Sequence, residues 1–191
     1  MKAKEYFCYY KNFFFFSLLI FLFGLFGGFL GAKFFPNRML RVLTIVRVAW
    51  GEVTTKENWK QFLFVVLNRL FLFVLVPIFS VFFGIFPAML LLSEGVIFGA
   101  FFFFLKDSLP LSLFLQIPAC NILEIPVLIL ACALGFKVAK KTIDIVLSGE
   151  SGLRKEMLLA FKFILKFLTP LLLLIAYIEI YLIPCIFNKL I

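Results

Sequence analysis

Three glutamates sit in stretches otherwise fit for hydrocarbon: Glu94 in LLLSEGVIF, Glu124 in IPACNILEIPVLIL and Glu179 in LLIAYIEIYLIP. Insertion of an acidic side chain at the centre of a membrane helix costs about 2.5–3.5 kcal/mol, so each must be neutralised or face a polar partner. Cys120 lies one helical turn before Glu124 and Asn121 three residues before it, so the three share a helix face. Arg69 is the only basic residue well inside an apolar run and is the natural counter-ion, with Asn68 beside it. A cluster of these seven side chains could do one of three things. It could fix how helices pack and remain chemically inert, relay protons or ions, or dock another subunit.

Catalysis and metal binding find little support. The chain has no histidine, no G-x-S-x-G and no H-E-x-x-H. Its four cysteines, Cys8, Cys120, Cys132 and Cys185, form no C-x-x-C pair and imply neither a disulfide framework nor a zinc site. No catalytic residue, metal or cofactor is therefore expected, and the protein reads as a non-enzyme.

Composition says which solvent these carboxylates live in. Hydrophobic residues make up 64% of the 191, thirty are Phe, only 15% are charged, and mean hydropathy is +1.15. A soluble domain of this size leaves about 30% of its chain surface in water, and this chain has too few polar residues to cover it. The predicted fold class is all-α, a polytopic transmembrane bundle in the cell membrane. The formal charge of +9 is carried by short connections between apolar runs, where anionic headgroups attract it; nucleic acid is not an expected partner.

Five apolar segments are read, at about 13–35, 62–83, 87–105, 109–136 and 163–187. The first is too long for a cleaved signal peptide, and its Gly24, Gly28 and Gly31 suit close approach of a neighbouring helix. The second and third form one 44-residue run that must fold back, with the turn expected at Gly84–Pro87. Two amphipathic stretches read as helices lying in the headgroup plane, at about 37–52 and 137–160; Lys137, Lys140, Lys141 and Asp144 share one face of the second. The cluster Ser148–Gly152 interrupts it.

The fourth segment, broken by Pro118 and Pro126, can be read two ways. If it crosses, the basic connections fall almost equally on the two membrane faces; if it enters and returns, one face holds most of them. The positive-inside bias favours the return. Length favours the crossing, because the segment as one helix would be about 42 Å long.

The stretch ACNILEIP resembles the signature of the stage II sporulation protein M family, small polytopic membrane proteins of bacteria and archaea. That signature reads Pro-His-Gly, two apolar residues, Glu, an apolar residue and Pro. Glu124 and Pro126 agree with it, Ala119, Cys120 and Asn121 replace the Pro, His and Gly, and a proline is displaced to Pro118. AYIEIYLIP is similar to the family's closing span, with Glu179 and Pro184 in place. SEGVIFGA is a further match, with Glu94-Gly95 where the family has Asn-Gly, and then Gly99; Asn68 stands where the family carries Asn at the start of its second span. The resemblance covers about residues 60–187. It implies a membrane protein that assembles or scaffolds envelope proteins, as the named member helps to localise or assemble peptidoglycan hydrolases. Other membrane proteins or further copies of this chain are then the expected partners, with the bilayer itself. The alternative is a transporter or channel subunit that uses the intramembrane glutamates for ion or proton coupling.

Overall fold

The computed structural model describes residues 3–44, 58–108, 123–149 and 151–182, and these are almost entirely helical, with no strand among them. In chain order the helices are α1 (Ala3–Phe34), α2 (36–44), α3 (Asn58–Phe79), α4 (Ile85–Ser108), α5 (Ile125–Ser148) and α6 (Leu153–Leu182). Four stretches, Tyr10–Phe34, Asn58–Phe79, Ile85–Phe104 and Leu153–Leu182, are long and apolar enough to cross a bilayer. The all-α membrane bundle expected from composition is thus what forms. Its outer face leaves Phe23, Phe71, Phe82 and Leu165 largely exposed, as befits a surface turned to lipid.

Helix α5 is the axis. From Val127 to Val138 its residues are buried or nearly so, and Ala131, Cys132 and Ala133 have no exposed surface at all. It packs against α1, α3, α4 and α6. A helix apolar all round belongs inside a bundle, and its small residues let four neighbours close on it.

Helices α3 and α4 make an antiparallel hairpin. Its turn occupies residues 80–84, slightly earlier than expected, with Phe83 at φ 56° and Gly84 at φ 76°. Gly84 takes the left-handed conformation without a Cβ penalty. Pro87 falls inside the first turn of α4, where its missing N–H costs nothing.

The second amphipathic stretch departs from expectation. No break separates an apolar segment ending near 136 from a surface helix beginning near 137: α5 runs unbroken through both. Phe136 and Lys137 offer nothing that stops a helix. The interruption comes at Gly149 (φ 67°) and Gly152 (φ 116°), which end α5 and open α6. Residues 153–160, expected in the surface helix, are instead the first turns of the last long helix. Of the first amphipathic stretch, residues 36–44 are helical and 45–52 lie outside the described residues.

The fourth segment has its ends at opposite ends of the bundle. Helix α4 finishes at Ser108, far from its start at Ile85, whereas Gly135 abuts Ser80, Val76 and Pro87 at the α3–α4 turn. A returning segment would bring both ends together. Residues 109–122, between these two ends, lie outside the described residues. Pro126 opens α5, and Pro118 lies outside the described residues.

Helix α6 contains two wider π-type turns, Ile164–Leu168 and Ile178–Leu182. The first precedes Pro170, whose ring and missing N–H disturb a regular helix; Thr169 donates its hydroxyl to the Ile164 carbonyl at 3.0 Å.

Candidate functional site

Because Glu124 precedes a helix that starts inside the bundle, it lies deep rather than at a membrane face. From Glu124 to Phe136 the chain rises about 18 Å, somewhat over half the ~30 Å hydrocarbon thickness. Phe136 sits at the level of the α3–α4 turn, in contact range of Gly84. Glu124 is therefore near mid-depth, level with Arg69 near the middle of α3 and with Glu94 within α4. Its carboxylate stands at a helix N-terminus, where the backbone dipoles favour negative charge, although it makes no capping hydrogen bond.

Arg69 joins two of the three glutamates. Its Nη2 is 2.6 Å from Glu124 Oε2, and its Nη1 donates to Glu94 Oε1 at 3.5 Å. The Arg69 and Glu124 side chains are only 13% and 7% exposed and Glu94 is 23% exposed. One guanidinium thus ties α3 to α4 and to the start of α5, using the forked donor geometry that lysine lacks.

Glu179 completes the acidic set from α6. It lies in the second π-type turn, is buried, and is within electrostatic reach of Glu124 and Arg69. Turns of this kind recur at functional sites. Its Oε1 has no hydrogen-bond partner among the described residues. Glu179→Leu is therefore expected to stabilise the bundle by about 1 kcal/mol or more, measured by unfolding in detergent; a loss of stability would mean that the carboxylate is an anchor after all. Tyr177 and Tyr181, which flank it in sequence, stack on each other at 5.2 Å.

Of the seven residues read as a cluster, Arg69, Glu94 and Glu124 come into contact, and Glu179 comes within electrostatic reach of Glu124 and Arg69. Asn68 does not. It is exposed on the outer face of α3, since neighbours on a helix point about 100° apart and Arg69 takes the inward direction. Cys120 and Asn121 lie outside the described residues. A different cysteine, Cys132, is fully buried on α5 and within electrostatic reach of Glu94. The space between Arg69, Glu94 and Glu124 is small, about 10 Å³, and is closed by Phe73, Phe98 and Leu128. That is room for about one water-sized sphere.

Gly24 and Gly28, singled out in α1, are only half of the tightest interface, and Gly31 faces Met39 of α2 instead. Gly24 and Gly28 of α1 pack directly on the backbone of α4 at Leu92 and Val96, and Gly95 and Gly99 of α4 pack on that of α1 at Leu25. The missing half has a sequence signal, G-V-I-F-G over residues 95–99, which is the small-x-x-x-small spacing of close membrane helix pairs.

The profile of the family described as stage II sporulation protein M matches residues 14–184. No curated protein and no solved structure matches the chain.

Proposed function

This chain belongs to the stage II sporulation protein M family, and from that premise we propose that it is a non-enzymatic cell-membrane protein that assembles or scaffolds other proteins of the envelope. The observation that supports this reading is the closure of its polar centre. Arg69 is engaged by carboxylates on two other helices, and the space they enclose has room for about one water. A substrate site of ordinary size takes about 300 Å³ or more. An ion pair that ties three helices together at mid-depth gives a bundle of fixed shape, which is what a scaffold must present to its partners. The lack of any histidine, nucleophile elbow or zinc signature agrees.

Affinity purification of the full chain in mild detergent, with mass spectrometry of the proteins that co-purify, tests the proposal. Glu124→Gln keeps shape and hydrogen bonding and leaves Arg69 beside Glu94, so it is expected to lower stability by less than about 2 kcal/mol and to retain the same partners. A proton or cation flux in liposomes that disappears with Glu124→Gln would favour the rival reading. One observation keeps that rival alive: two carboxylates share a single arginine at mid-depth, with Glu179 within electrostatic reach, beside a helix that begins inside the bundle.

A further inference from the structure

A second polar site lies at the end of the bundle nearest the α3–α4 turn, on residues that the mid-depth cluster does not use. There α5 continues past Phe136, and with the first turns of α6 it encloses a cavity of about 340 Å³. Lys137, Lys140 and Lys141 line it from α5 and Lys155 from α6, against the acids Asp144 and Glu156. Among the described lining residues, four ammonium groups against two carboxylates leave an excess of two positive charges. The size falls in the range of built ligand sites.

Its walls are held in place from three helices. Glu156 is buried, and Tyr10 of α1 donates its hydroxyl to Glu156 Oε1 at 3.5 Å. Lys137 stands over the ring of Phe13, 5.3 Å from its centroid. Phe16 packs edge-on against Phe136 at 4.9 Å, on the bundle side of the cavity. The cavity therefore sits where the apolar bundle gives way to polar residues, at headgroup level.

Beside this basic cavity the surface is greasy. Leu158 and Leu165 of α6, seven residues apart on one helix face that runs from the cavity toward the bundle, are 49% and 65% exposed. A soluble anion has no use for them, whereas a ligand with a charged head and hydrocarbon tails uses both surfaces at once. We infer that this cavity binds the phosphate of an anionic phospholipid headgroup, with the acyl chains lying along the exposed apolar residues of α6. Basic pockets between membrane helices are a known way of holding such heads. Bound there, the lipid would brace α5 against α6 across the glycine turn that joins them.

Native mass spectrometry of the full chain in a neutral detergent tests this, with phosphatidylglycerol, phosphatidylcholine and inorganic phosphate as probes. Wild type is expected to retain phosphatidylglycerol in preference to phosphatidylcholine. Lys140 and Lys155 are both exposed, so Lys140→Gln with Lys155→Gln leaves the fold intact and is expected to weaken retention about thirty-fold, roughly five-fold per lysine. The charge-preserving Lys140→Arg with Lys155→Arg is expected to retain the lipid. Equal retention of the two lipids by wild type overturns the inference, and that measurement needs no variant. So does displacement of phosphatidylglycerol by inorganic phosphate at equal concentration, which would assign the cavity to a soluble anion. None of these outcomes depends on whether the protein is a scaffold or a carrier.

Discussion

Arg69→Ala is expected to destabilise the bundle by about 3–5 kcal/mol, the usual cost of removing one partner of a buried ion pair. The size reflects the charges that stay behind. Glu124, 7% exposed, loses a guanidinium at 2.6 Å, and Glu94 loses its contact at 3.5 Å. Two carboxylates then face each other and Glu179 inside hydrocarbon, with no cation between them. Arg69→Lys is expected to recover only part of the loss, because one ammonium cannot span two carboxylates on different helices. The decisive comparison is the double variant Arg69→Met with Glu124→Leu. Replacing both partners by apolar groups is often neutral or stabilising, so its unfolding in detergent should resemble wild type far more than Arg69→Ala does. If the double variant folds well but no longer captures partners, the ion pair is kept for shape and not for stability. An Arg69→Ala loss below about 1 kcal/mol would mean that the pair is no fastening.

The same asymmetry explains why Glu124→Gln is mild. That change removes one acid from a set with three acids and one arginine, so every remaining charge keeps an opposite within reach. Removing the arginine leaves Glu94 and Glu124 facing each other without the guanidinium that bridged them. Side chains of similar burial therefore differ in consequence because of the balance around them, not because of their depth.

The centre of this site is legible from residue types alone. A carboxylate and a single arginine within apolar runs have few ways to be satisfied in lipid, and the bundle uses the direct one. Asn68 falls outside the cluster because proximity in sequence says nothing of direction on a helix; the residue beside an inward arginine turns about 100° away from it. The boundary expected near 136 fails for a related reason. Charge appears abruptly at Lys137, which signals a change of solvent, but a helix ends only where the backbone is made to leave it, and in this chain that is at Gly149 and Gly152. The charge bias that favours a return of the fourth segment holds across many membrane proteins, but it says nothing of where the segment's two ends lie in the bundle. Contacts at Gly135 place one of those ends beside the α3–α4 turn, and no periodicity could supply them.

The α1–α4 contact offers the sharpest test of how this bundle is held, because two adjacent glycines should behave in opposite ways. A methyl group added at Gly28 would stand 2.7 Å from Val96 Cα and closer still to the Val96 carbonyl oxygen, and these are backbone atoms that cannot swing aside. One added at Gly27 meets nothing within 4 Å. Gly28→Ala is therefore expected to cost about 2–3 kcal/mol, toward the upper end for overpacking, since the two helices must move apart along their length. Gly27→Ala should be neutral or should stabilise the protein by up to about 1 kcal/mol, the propensity gain of alanine over glycine within a helix. Gly99→Ala on the facing helix should match Gly28→Ala, because its added methyl would collide with the carbonyl of Leu25. Combined with Gly28→Ala it should cost less than the sum, because once the helices have separated the second methyl finds its space already open. Unfolding of the four variants in one detergent measures all of this. If Gly27→Ala and Gly28→Ala proved equal, α1 would not be seated on α4 in the register that places Gly28 against Val96.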